Sequence, residues 1–114
     1  MGTTRDLAQF VVETTPADIP PEVLHEARRC VINALAVALY AARDPSLRIL
    51  LDVFREEGGR QRASVVGTTV RTTLQNAALA NGYLAHLEDY DDTHFPTVIH
   101  PSAPTVPAAL AVAV

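Results

Sequence analysis

Apolar residues recur at helical spacing along most of this 114-residue chain. Leu7, Phe10 and Val11 stand at i, i+3 and i+4 and predict a short amphipathic helix ending near Thr14. "TTPADIPPEV" interrupts it, and its proline pair opens a second helix over about 21–42. Pro20 or Pro21 sits in that helix's first turn, where a missing N–H costs little. The first half carries Glu22, Glu26, Arg28 and Arg29 and can face water. From Val31 to Ala42 only Asn33 is strongly polar, so this half is expected to be enclosed by other helices.

"RDPS" ends the second helix, and Pro45 opens a third through "LRILLDVFREE". Gly58 and Gly59 mark the turn after it. "ASVVG" is the one strand-like piece, so at most a short strand near 63–66 is expected. Helical pattern returns in "TTLQNAALANGYLAHLE". Asn81-Gly82 is a strong hairpin dipeptide, but its Ala/Leu flanks do not alternate. The spacing predicts a helix there, with Ala78, Gly82 and Ala85 forming a ridge of small residues against a neighbour. In the final "TVPAALAVAV", Pro107 suits a helix's first turn and Thr105 its cap. The chain stops inside that apolar run, without a capping glycine or polar last turn. The expectation is a truncated piece of a larger helical domain.

Composition fits helices better than sheets: 48% hydrophobic, mostly Ala, Leu and Val, with no Trp and 5% aromatics. All-α is the expected fold class, in one domain. Net charge is −4, and the nine basic residues, all Arg, are scattered, so nucleic acid is not the expected partner. Cys30 alone allows no internal disulfide, and on a helix it reads as a small apolar residue. "MGTTRDLAQF" has neither a signal-peptide pattern nor, with Asp6, a myristoylation pattern. "INALAVALYAA" is shorter than the roughly 20 residues that span a bilayer. A soluble, cytoplasmic protein is expected.

The chemistry concentrates in "HLEDYDDTHFPTVIHPSAP", residues 86–104. Glu88, Asp89, Asp91 and Asp92 crowd together with His86, His94 and His100. His86 and Asp89 stand at i, i+3, as do Asp91 and His94, so a metal site is conceivable. No HExxH, Cys-pair or EF-hand pattern accompanies them. Carboxylates beside histidines also suit general acid–base chemistry, and His100 precedes a helix start whose free N–H groups can bind an anion. That combination fits proton abstraction beside a carboxylate, followed by elimination. A solvated, proline-stiffened loop is the plain reading. The residues alone leave acid–base chemistry and loop level, with metal behind them.

"NGYLAHLEDYDDTHFPTVIHPSAPTVPAALAVA" resembles the signature of the 2-methylcitrate dehydratase / cis-aconitate decarboxylase (MmgE/PrpD) family. "DIPPEVLHEARRCVINALAVAL" resembles that family's N-terminal helix, and "ASVVGTTVRTTLQNAALANG" its strand-and-helix passage. The resemblance implies the N-terminal part, residues 1–114, of the large helical domain of a two-domain homodimeric lyase. It implies small polycarboxylate substrates, no metal and no cofactor, with a lid domain and later His and Lys residues beyond this chain. Residue by residue, it places Asp89, Thr93 and His100 in the active site. Asp92 and His94 stand beside them as substrate-binding or supporting residues.

Overall fold

The computed structural model describes residues 2–113, and it is a helical domain with one very small hairpin. Helix α1 (Thr3–Glu13) is followed by a 3-10 turn at Pro16–Asp18, then α2 (Pro21–Ala41) and α3 (Ser46–Glu57). Strands β1 (Ala63–Ser64) and β2 (Arg71–Thr72) pair antiparallel, and α4 (Leu74–His86) and α5 (Ser102–Val112) complete the domain. The all-α expectation holds, and the single strand expected near 63–66 acquires a partner. No described helix is long and apolar enough to cross a membrane.

Helix boundaries follow local chemistry. Pro21 occupies the first position of α2, where its absent N–H is not missed. Asp44 accepts hydrogen bonds from the Ser46 amide (2.8 Å) and hydroxyl at the start of α3. Those bonds hold its carboxyl below the ordinary aspartate range. Gly58, at φ 70°, ends α3 in a conformation that suits glycine. Thr73 caps α4 by accepting from the Asn76 amide at 3.2 Å.

Helix α4 is the centre of the domain, packed against α2, α3, α5 and the hairpin. Ala77, Ala80 and Leu84 are fully enclosed, and Ala85 nearly so. Around them lie Ala38, Ala41, Leu47, Phe54, Val65 and Ala103. The Asn81-Gly82 pair is helical. Asn81 Oδ1 accepts from the Val66 amide at 2.8 Å, and its Nδ2 donates to the Ser64 carbonyl at 3.0 Å. A buried amide thus fastens the hairpin to the helix. Gly67, at φ 73°, turns the hairpin so tightly against α2 that a Cβ there would sit 2.4 Å from that of Ala42.

Three expectations need correction. Helix α2 is enclosed on one face only: Ala34, Val37, Ala38 and Ala41 are buried, whereas Val31, Ile32, Leu39 and Tyr40 are exposed. Helix α5 starts at Ser102, so Pro107 lies inside it and Thr105 is not its cap. The Thr105 hydroxyl instead donates to the Pro101 carbonyl at 2.6 Å. A side chain far upstream, Asp92, binds the first turn and sets the earlier start. Val114, the end of the final apolar run, lies outside the described residues.

Candidate active site

The acidic segment leaves α4 by a sharp reversal. Asp89, at φ 51°, donates its amide to the His86 carbonyl at 2.9 Å. Aspartate tolerates this left-handed conformation better than most side chains. Asn33, the polar residue in the apolar half of α2, donates from Nδ2 to the Tyr90 carbonyl at 3.4 Å. Its Oδ1 is buried without a hydrogen-bond partner among the described residues.

Asp91 then turns inward, with a side chain 0% exposed. Its carboxylate lies 3.0 and 3.1 Å from His86 Nδ1 and 3.2 Å from His100 Nδ1. The His86 contact has hydrogen-bond geometry. The His100 contact is close but off line, and the buried His100 Nδ1 has no hydrogen-bond partner among the described residues. The rings meet edge to face, with centroids 5.1 Å apart and planes at 71°. Two histidines from opposite ends of the loop therefore converge on one enclosed carboxylate.

Asp92 points the other way. Its oxygens accept from the Ser102 amide (3.1 Å) and hydroxyl (2.8 Å) at the start of α5. The anion at this helix start is the protein's own, where the helix dipole favours it. Cys30 of α2 adjoins this pair. Burial pushes its thiol above the ordinary range, a hydrogen bond with Ser102 opposes that, and the carboxylates of Asp92 and Glu26 reinforce it.

His94 faces solvent. Its amide donates to the Ile99 carbonyl at 2.9 Å, closing a tight turn, and its Nδ1 lies 2.7 Å from the Thr97 hydroxyl. It therefore points away from Asp91, despite their i, i+3 spacing. Thr93 is half-buried, with no side-chain hydrogen bond among the described residues. Asp89 is exposed but close to the histidines. Of the five residues expected at the site, the structure gathers Asp89 and His100 and turns His94 outward.

His86 and Asp91 complete the cluster, and sequence spacing gives Asp91 no special place. No periodic signal marks it, because the chain reverses at Asp89 instead of running extended. Here the aromatic residue goes outward and the acid inward, against the usual preference. One ligand atom from each of His86, Asp89, Asp91 and His100 would lie within 4.8 Å of the others. Tetrahedral zinc ligands at about 2.0–2.2 Å from the metal require closer spacing, so a cation would draw the set inward.

Both imidazoles border an open groove of about 490 Å³ between α4 and α5, lined also by Leu79, Gly82, Tyr83 and Ala103. The groove wall is largely apolar, with the two rings as its polar end.

The described domain is thus mainly helical, with a His–Asp cluster at the junction of two packed helices. The sequence profile of the MmgE/PrpD N-terminal domain matches residues 5–114, and the chain belongs to that family. It is also 30% identical over 113 residues to the cis-aconitate decarboxylase-like protein oryM of Aspergillus oryzae. That match covers 96% of this chain and 23% of the relative, so the chain spans about a quarter of the relative's length.

Proposed function

We propose that residues 1–114 form the N-terminal part of the helical domain of a lyase acting on small polycarboxylates. The observation that carries this reading is the convergence of His86 and His100 on buried Asp91 at the edge of the groove. Family membership and the printed name of the A. oryzae relative support the same class. The substrates proposed are 2-methylcitrate, cis-aconitate or close analogues, in dehydration or decarboxylation. A homodimer with a lid domain, as the family resemblance implies, would complete the enzyme.

In dehydration, a base removes a proton from carbon next to a carboxylate. The electron pair forms the C=C bond, and hydroxide leaves as water after protonation by an acid. In decarboxylation, a C–C bond breaks, CO2 leaves, and the carbanion takes a proton. Both need a positioned proton donor or acceptor, the role proposed for His100. Asp89 and Thr93 orient the substrate or a catalytic group. Asp92 supports the site by holding α5, and His94 lies at its outer edge. Cations supplied by the rest of the enzyme offset the repulsion between a polyanion and this acidic loop.

The test is turnover of methylcitrate, citrate and cis-aconitate by the full-length protein, followed through formation or loss of the unsaturated acid. His100→Ala is expected to lower turnover by roughly 10²–10⁴-fold, the usual share of a general acid or base. Asp89→Asn removes charge while keeping shape and should also impair turnover. Thr93→Val should cost less, on the order of 1–3 kcal/mol. His25→Ala, at an exposed position on α2, is the control. Wild-type rates from both His100→Ala and Asp89→Asn would remove the site assignment.

The four-donor cluster favours one alternative, a metal-dependent hydrolase. Elemental analysis decides between them. Stoichiometric zinc or iron, with activity lost to a chelator, would replace the metal-independent lyase.

A further inference from the structure

Asp91 is the only acid of the loop whose side chain is wholly enclosed and directed at two imidazoles. An ionised carboxylate is acceptor-only, so a ring nitrogen facing it closely must carry a proton. A lone pair there would repel the carboxylate and leave a buried charge without compensation. His86 Nδ1 makes a hydrogen bond to Asp91 at 3.0 Å, and His100 Nδ1, enclosed with no hydrogen-bond partner among the described residues, lies 3.2 Å from the same oxygen, so Asp91 is its nearest acceptor. A neutral imidazole protonated at Nδ1 keeps its lone pair on Nε2, the nitrogen that does not face Asp91.

We propose that Asp91 is the positioning residue of a two-histidine acid–base pair. It fixes His86 and His100 as Nδ1–H tautomers and turns both rings' Nε2 atoms to exchange protons with a ligand in the groove. This deepens the lyase reading above, which needs one base and one acid for elimination. One neutral imidazole takes the C–H proton at Nε2. The other, as imidazolium, gives its Nε2 proton to the departing hydroxyl, and water leaves. The proton count of the pair is unchanged, and exchange with solvent restores the starting arrangement. His86, half-exposed on the groove rim, is thereby the second proton carrier.

Long-range ¹H–¹⁵N correlation spectra of the 114-residue chain report which ring nitrogen holds the proton. At a pH where each ring's Nε2 resonates at the downfield, lone-pair position, Nδ1 of both His86 and His100 should resonate at the protonated, upfield position. Single His→Gln variants of His25 and His94 assign the signals. A downfield, lone-pair Nδ1 on either ring overturns the proposal, and is also what metal ligation through Nδ1 requires. Asp91→Asn places an NH2 group where an acceptor stood, so at least one ring should switch its proton to Nε2. Unchanged tautomers in a folded Asp91→Asn protein would likewise overturn it. Should that variant fail to fold by circular dichroism, the wild-type spectrum alone decides. The readout is independent of turnover, so it fails or succeeds separately from the assay for lyase activity.

Discussion

Gly82 of α4 lies directly beneath the carbonyl of Ala103 in α5, so closely that a Cβ on Gly82 would stand 3.2 Å from that oxygen. The carbonyl also lacks its usual helical donor, because the residue four positions on is Pro107. Glycine and proline thus act on one contact from two helices. Gly82→Val should lower stability by about 1–3 kcal/mol, the usual cost of overpacking, despite valine's better helix propensity. Thermal denaturation reads it. A variant as stable as wild type would mean that α5 shifts away at little cost.

Asn81 should matter more than a surface amide. Asn81→Ala removes an acceptor from the Val66 amide and a donor from the Ser64 carbonyl. Each stranded group costs about 1–3 kcal/mol where water cannot reach it. Denaturant unfolding is expected to show a loss of roughly 2 kcal/mol or more. Loss of less than about half a kcal/mol from the alanine variant would remove the hairpin staple from the account.

Uncovered apolar faces predict association. Helix α1 exposes Leu7, Phe10 and Val11, and α2 exposes Val31, Ile32, Leu39 and Tyr40. The 114-residue chain should bind a hydrophobic dye and self-associate as concentration rises. Replacing Ile32, Leu39 and Tyr40 together by polar residues should reduce both effects. A dye-silent monomer at high concentration would contradict this prediction.

Cys30 should be slow to alkylate at neutral pH. Its raised thiol pKa leaves less thiolate, the reactive form, than in a free cysteine. The same shift carries a stability sign. A group that holds its proton more tightly when folded contributes below its unfolded pKa, and that contribution fades as pH rises through the folded value. Alkylation should therefore accelerate above about pH 8.5, where the unfolded thiol titrates, as folding stability begins to decline. A maleimide rate matching that of a short unstructured cysteine peptide at pH 7 would rule this out.

Helices were legible wherever one residue's neighbours in sequence were also its partners. Leu7–Phe10–Val11 and the Ala78–Gly82–Ala85 ridge announce α1 and α4 through spacing alone. The start of α5 was hidden because Asp92 caps Ser102 from ten positions upstream, while Thr105 and Pro107 imitate a later start. Strand β2 was hidden for a similar reason. Arg71-Thr72 has no alternation, and only its pairing with Ala63-Ser64 makes it a strand. At the candidate site, composition singled out the loop, and family resemblance named Asp89 and His100 within it. Which aspartate turns inward depends on the reversal at Asp89 and the Asn33 tether, neither of which has a periodic signature.

The adjacent Asp91 and Asp92 divide their work between the histidines and α5, and the peptide bond between them makes those tasks inseparable. Whenever the first turn of α5 breathes open, the Ser102 amide loses its acceptor and the neighbouring carboxylate loses its mooring. Hydrogen exchange at Ser102 therefore reports how often the Asp92 contact opens, and with it the anchor next to Asp91 in the chain.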